Sequence, residues 1–417
     1  MSSQEHVLYV VPVVPSANGS GIARRAFHTL QSLATTSQVH VRWVDAFGVV
    51  SGQVVDDTVL ALCASFEPIR PTRMQRWIAA VLRTVRHHLP SQFARWWRDP
   101  FDFACARRLG GTLSGHRAPP HCRRVVLFRL YLDPVASALL ETMPGARLYV
   151  DLDDIESVTR QRIGGLYRAR GQRGMAAILD AESQFYHELE ARVLPGCDGV
   201  FVASAIDRER LAGTLDAHRL AVLPNVYPAA PPREAMRATA PVTFLFIGAF
   251  GYFPNHDAAM WLCREVIPLV VAGMRGAVRF RFVGAMARRE LQDTIAATAY
   301  AVYEGPVPDI DVAYREVDVA VVPIRGGGGT RIKLLEAFAR GIPVVSTTVG
   351  AEGIPVDGEV HLLLADSPEV FAAQCLRLAR SARLRESLAA AAMARWASHY
   401  RPEAIEGTIT DLFERTS

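Results

Sequence analysis

The feature that most constrains this chain is an alternation that runs twice. Short apolar runs, each closed by Gly, Pro, Asn or an acid, are followed by stretches with helical spacing. In the first series Val7–Val14 leads through Pro15 and Asn18-Gly19-Ser20-Gly21 into Ile22, Ala26, Leu30 and Leu33, which lie on one helix face. Apolar runs follow at Val39–Val44, Arg124–Leu130, Ala146–Leu152, Gly199–Ala203 and Leu220–Leu223, with a long amphipathic segment at Ala176–Leu194. Composition breaks at Tyr227–Pro241 (YPAAPPREAMRATAP), where Pro228, Pro231 and Pro232 argue for extended backbone. The series then restarts with runs at Val242–Ile247, Val278–Val283, Ala301–Glu304, Val317–Pro323, Pro343–Thr347 and His361–Leu364. Strands alternating with helices give parallel sheets covered on both faces. The expectation is an α/β protein of two doubly wound domains, 1–226 and 242–400, joined by a linker at 227–241. A final helical segment at 401–417 is expected to pack near the hinge. Ligands in such sheets bind beyond the strand C-termini, so a cleft between the two sets of strand ends is expected.

The length of 417 residues suits two domains of ordinary size. Half of the residues are apolar and 21% charged, as in a soluble globular protein. No run of 18 apolar residues is present, so no spanning helix is expected. Val7–Val14 lacks a basic flank and reads as a buried strand, not a signal peptide. Six cysteines are scattered without a Cys-x-x-Cys pair, which argues against a zinc site and a disulfide framework. A cytoplasmic location, with contact at the inner face of the membrane as a second element, is the resulting expectation.

The second series contains Gly326–Glu336 (GGGGTRIKLLE), between an apolar strand and a helix. Glycines let backbone approach a ligand closely, and a helix N-terminus offers unpaired N–H groups to an anion. Thr330 adds a hydroxyl, and Arg331 and Lys333 add two positive charges. Lys333 is the only lysine among the 46 Lys and Arg residues. High GC content accounts for the arginines; the retained ammonium fits a phosphate contact. Glu336 lies three residues beyond Lys333, on the same helix side, where its carboxylate can accept from both ribose hydroxyls. A flexible turn beside a surface helix is the structural alternative. The order is neither a Walker loop nor a Rossmann dinucleotide loop.

GGGGTRIKLLEAFARGIPVVSTTVGAEGI resembles the signature of the group 1 (family 4) glycosyltransferases, in the subgroup with a Gly-Gly-Gly-Thr-Arg-x-Lys loop followed by Leu-Glu-Ala. Phe246–Leu262 (FIGAFGYFPNHDAAMWL), Val307–Ile324 (VPDIDVAYREVDVAVVPI) and Leu223-Pro224-Asn225 resemble the same family. The likeness covers about 205–400. It implies GT-B architecture, two Rossmann-like domains facing a central cleft. It also implies sugar transfer from a nucleotide-diphosphate sugar, with retention and without a bound metal or other cofactor. By the resemblance, Glu336 holds the ribose, Arg331 and Lys333 the diphosphate, Gly328, Gly329 and Thr330 line it, and Pro308 and Asp309 meet the base. The family commonly has Glu-x7-Glu; the second maps to Glu336, and Gly328 stands where the first is expected. Glu352 is a candidate for that missing group; a loop acid capping the next turn is the alternative.

In the first series Gly19 and Gly21 precede a helix N-terminus, and similar family loops approach donor phosphates or the acceptor. Asp151, Asp153, Asp154 and Glu156 crowd the end of an apolar run. Like charges so close repel, which favours a functional origin. Asp153 and Asp154 are candidate catalytic groups that could orient an acceptor hydroxyl or stabilise an oxocarbenium-like transition state; a helix cap is the alternative. Arg129 could meet an acceptor phosphate or pair with this cluster, and Glu156 is a further acceptor candidate. No metal is expected.

Arg70–Arg124 holds twelve arginines against Asp99 and Asp102, with Trp77, Trp96 and Trp97 interleaved. It reads either as a solvated basic face or as a surface on anionic lipid. No nucleic-acid module accompanies it. The expected partners are a nucleotide-sugar donor and a glycan or lipid-linked acceptor, in the synthesis of bacterial surface polysaccharide or glycoconjugates. A sugar-nucleotide 2-epimerase of the same fold and a non-catalytic nucleotide-sugar-binding protein are the rival readings.

Overall fold

The computed structural model describes residues 5–45, 55–88, 99–113, 119, 121–231, 241–274 and 277–416. The chain divides into two compact units, Met1–Pro224 with Ile405–Ser417, and Asn225–Ala404. Trp96 and Trp97 lie outside the described residues, as does most of the Pro-rich segment.

The first unit is built on a parallel sheet of seven strands among the described residues. They are β1 (Glu5–Val11), β2 (Ser37–Val44), β3 (Ser65–Ile69), β4 (Cys122–Phe128), β5 (Arg147–Asp151), β6 (Gly199–Val202) and β7 (Leu220–Val222). Their order is β3-β2-β1-β4-β5-β6-β7. The direction of winding reverses between β1 and β4, which leaves a crevice at their C-terminal ends. Val7 to Val11 are all buried, as a strand with helices on both faces requires. β3 (SFEPI) was not anticipated: Glu67 and Pro68 interrupt its apolar character, which an edge strand tolerates. The helix Glu156–Ala169 was likewise not anticipated, since its Arg-rich sequence shows little apolar periodicity.

The second unit repeats the plan with β8 (Val242–Ile247), β9 (Val278–Val283), β10 (Ala301–Gly305), β11 (Val319–Val322), β12 (Val344–Ser346) and β13 (Leu363–Leu364), in the order β10-β9-β8-β11-β12-β13. Its switch point lies between β8 and β11. A core around Phe244, Phe246, Phe280, Phe282 and Phe338 fills the space between sheet and helices.

Composition placed the break at 227–241, whereas the compact units part after Pro224. Tyr227 is a core residue of the second unit, its N–H donating to the Tyr400 carbonyl at 2.8 Å. The helix Thr408–Arg415 packs on the first unit. Phe413 stacks obliquely on Tyr149, their centroids 4.4 Å apart, and Arg147 donates to the Thr416 carbonyl at 2.7 Å. Two sheets of this order make the architecture that of two Rossmann-like domains.

Candidate functional site

The Gly-rich loop leaves β11 at the switch point of the second unit and enters the helix Ile332–Ala339. Gly327 (φ 104°) and Gly329 (φ 65°) sit where a side chain would be strained. A Cβ on Gly327 would also lie 3.0 Å from the Tyr252 hydroxyl. The helix begins at Arg331 with no side-chain cap, so its first N–H groups have no side-chain acceptor at that position. Arg331 folds back on its own loop: Nη1 donates to the carbonyls of Gly328 and Gly329, the latter at 2.9 Å. Its Nε and Nη2 are buried and meet no acceptor among the described residues. Two donor nitrogens of a permanent cation are thus left for an anion.

Lys333 projects from the first helical turn. Its Nζ donates to Asn255 Oδ1 at 2.7 Å and lies 4.7 Å from the centre of the Phe246 ring. Asn255 is itself held by donation to the Ala249 carbonyl at 2.9 Å. A Cβ on Gly248 would come within 3.0 Å of Nζ, so glycine leaves the ammonium its place. Burial pushes the Lys333 pKa down to about 7, Arg331 pushes the same way, and Glu336 acts against both. An ammonium so poorly compensated gains much from an added negative charge.

Glu336 is buried on the same helix, at 7% exposure. The Tyr314 hydroxyl donates to its Oε2 at 3.5 Å. Burial and the neighbouring Glu336 carboxylate keep the Tyr314 phenol protonated by raising its pKa. Arg340 donates to the Glu336 carbonyl and the Tyr227 hydroxyl, both at 3.0 Å, and pairs with Asp311. Asp311 lies in the short helix Ile310–Tyr314, which Asp309 caps by accepting from the Asp311 N–H at 2.9 Å. Pro308 and Asp309 are exposed. Thr330 accepts a hydrogen bond from Asn225 at 2.6 Å, which ties the start of the second unit to the loop. Arg325, at the loop entrance, pairs with buried Asp257 at 2.8 Å. Glu352 ends the short helix Thr348–Ala351 and is partly buried.

The structure therefore brings Gly328, Gly329, Thr330, Arg331, Lys333 and Glu336 to one strand end. Asn255, Tyr314 and Arg340 were not singled out from sequence. All three stood inside quoted segments, but their contacts are with residues distant in sequence.

The acids of the first unit are not a bare cluster. Asp151 ends β5 and is completely buried, paired with Arg25 at 2.6 Å. Arg25 comes from the helix Gly21–Ala34 and also donates to the Leu223 carbonyl at 2.9 Å, so it ties that helix to the ends of β5 and β7. Arg129, just past β4, pairs with Asp153 at 2.6 Å, Asp154 at 2.7 Å and Glu156 at 3.1 Å. Of the two readings of Arg129, pairing with the cluster is the one observed. Arg129 (φ 75°) and Asp153 (φ 53°) adopt backbone that side chains disfavour, held there by these pairs. Arg160 extends the network to Asp102, Glu156 and Glu182. Burial raises the pKa of Asp153 and of Glu156, against the pull of these arginines. The cap alternative is not what the carboxylates do: the N-cap of Glu156–Ala169 is Ile155, without a side-chain cap bond. At the other loop, Ser20 caps Gly21–Ala34 without a side-chain bond, and Gly19 accepts from Arg24 at 2.9 Å. A Cβ on Gly19 would lie 2.8 Å from that of Ala23.

Residues 241–381 match the family model of the Glycosyl transferases group 1. No curated protein matches the chain. Among solved structures the chain is similar to sucrose-phosphate synthase from Thermosynechococcus elongatus, with a TM-score of 0.70, 14% identity, and coverage of 99% of this chain and 98% of that one. It is similar to HepE from Anabaena in complex with UDP and glucose, at TM-score 0.63 and 13% identity over 98% of this chain and 99% of the other. It is also similar to a variant of TarM from S. aureus in complex with Fondaparinux, alpha-GlcNAc-glycerol and UDP, at TM-score 0.65 and 10% identity over 98% and 99%. The matched segment is the one that carries the Gly-rich loop, and the fold of the chain is that of these neighbours.

Proposed function

We propose that the chain transfers a sugar from a nucleoside-diphosphate sugar to a hydroxyl of a glycan or lipid-linked acceptor, with retention and without a metal, in the synthesis of a bacterial surface polysaccharide or glycoconjugate. The observation that carries this is the unsatisfied positive charge at the end of β11. Arg331 keeps two buried donor nitrogens unpaired among the described residues, and the Lys333 ammonium is held at a pKa of about 7. A diphosphate satisfies both. The same groups would neutralise the charge that develops on the departing diphosphate, which is the largest contribution such a site can make to the rate.

In this reading Glu336 accepts from the ribose hydroxyls, and Pro308 and Asp309 border the base. Gly328, where the resemblance leads one to expect a glutamate, leaves the donor sugar without that carboxylate, and Glu352 takes its part. Gly19 and Gly21 approach the donor phosphates. Asp153 and Asp154, with Arg129 as counter-ion, orient the acceptor hydroxyl beside Glu156. HepE and TarM are described with UDP, so a UDP-sugar is the first donor to try.

Calorimetric titration with UDP-glucose, UDP and uridine tests the reading. Binding should require the diphosphate. Lys333→Ala and Glu336→Ala should each weaken it by about 1.5–3 kcal/mol, the worth of a hydrogen bond to a charged group. Unchanged affinity in both variants would show that the donor site is misplaced. Release of free UDP dependent on an added acceptor separates transfer from 2-epimerisation and from binding alone.

A further inference from the structure

We propose that the helix Arg73–His88 of the first unit is a membrane-docking surface whose partner is an anionic bilayer. The reason lies in which side of the helix is left in water. At about 100° per residue, Met74, Trp77 and Val81 fall within about 60° of one another. They are 69%, 67% and 38% exposed. An amphipathic helix of a globular protein normally turns such a stripe inward; this one turns it out.

The rotation is fixed by contacts on the opposite flank. Thr72 and Gln75 form a reciprocal cap, Thr72 N–H to Gln75 Oε1 at 2.8 Å and Gln75 N–H to Thr72 Oγ1 at 3.2 Å. Gln75 Nε2 then donates to the Arg108 carbonyl at 3.1 Å, and Ala79 is buried. The helix is therefore seated on its Gln75–Ala79 side, so the apolar stripe cannot rotate inward without breaking that seat.

Charge identifies the occupant. Arg73 and Arg76 border the stripe on its free flank and Arg70 precedes it, all three exposed. From Arg70 to His88 the sequence contains no acid. None of these three arginines carries an ion pair among the described residues. Aliphatic and indole side chains beside exposed guanidinium groups match the boundary between acyl chains and anionic headgroups, where Trp is favoured and arginines stay hydrated. Single-stranded nucleic acid would use stacking aromatics and would leave Met74 and Val81 without a role.

The test is flotation of the full chain with vesicles of phosphatidylcholine alone and of phosphatidylcholine rich in phosphatidylglycerol. The wild type should float only with the anionic vesicles, and less at high salt. The double variant Met74→Ser/Trp77→Ser should lose about tenfold or more in partitioning, and Arg73→Ser/Arg76→Ser a comparable amount. Both should keep the wild-type thermal midpoint and UDP-glucose affinity, since the substituted side chains face solvent. Failure of the wild type to float with anionic vesicles overturns the proposal. So does undiminished flotation of Met74→Ser/Trp77→Ser, or capture of the chain by a single-stranded oligonucleotide in place of vesicles. None of these outcomes bears on the donor site, which the UDP-glucose titration reads separately.

Discussion

Two residues concentrate the electrostatics. The folded pKa of Lys333 is lowered to about 7 from 10.5. Between those values the unfolded chain holds more protons than the folded one, so this residue makes stability rise with pH through that window and costs stability below it. A bound diphosphate reverses the preference by favouring the ammonium. UDP-glucose, which has no ionisation of its own near neutrality, should therefore bind best below pH 7. It should weaken above that by up to about tenfold per pH unit. Titrations in buffers of different ionisation enthalpy should show proton uptake, and Lys333→Met should abolish both effects; a flat profile in the wild type would refute the assignment. Arg129 is the corresponding hub of the first unit. Arg129→Ala removes the counter-ion of Asp154 and leaves Asp153 and Glu156 with only the longer pairs to Arg25 at 3.6 Å and Arg160 at 3.4 Å, and should cost about 3–5 kcal/mol in urea unfolding of that unit. The loss should shrink toward pH 5, because burial already raises the pKa of Asp153 and Glu156 and protonation removes the stranded charge.

At the scale of elements, the close approach of two loops decides whether the donor site can form. Gly284, after β9, has φ 148°, and a Cβ there would lie 1.9 Å from the Gly248 carbonyl oxygen. Gly248, after β8, in turn makes room for Asn255 and Lys333. Gly284→Ala should destabilise the second unit by about 2 kcal/mol or more and weaken donor binding with it. A thermal midpoint and UDP-glucose affinity equal to wild type would show that the loops can part freely. The same scale explains what the sequence could disclose. Buried parallel strands write themselves as apolar runs, so the cores of β1, β2, β4, β5 and β8 were legible, as was the loop between β11 and its helix. Edge strand β3, with Glu67 and Pro68, and the Arg-rich helix Glu156–Ala169 lack that signal. Contacts between residues distant in sequence were not legible either. Arg25 is a base near a helix start, and nothing local connects it to Asp151, 126 residues away. The acids of β5 looked like mutually repelling charges because their counter-ions come from other elements.

At the scale of the whole molecule, the chain passes out of the first unit after Pro224 and returns to it at Ile405. Helix Thr408–Arg415 is part of the first unit's packing: Leu412 and Phe413 are buried, and a Cβ on Gly199 in β6 would lie 2.8 Å from Leu412. Removing 405–417 should therefore raise hydrogen exchange in β5 and β6 while leaving the second unit, to which the cut is adjacent in sequence, as protected as before. Equal exchange in both units would contradict this. The return also sets an order of events during synthesis. At about 5–20 residues per second, the stretch from Asn225 to Ala404 takes on the order of ten seconds to emerge. For that time the first sheet is complete in its strands but bare along the surface that Leu412 and Phe413 will cover. The nascent chain thus exposes an apolar face that its own final helix closes, which makes that interval the one in which a chaperone, or a second nascent copy, has something to hold.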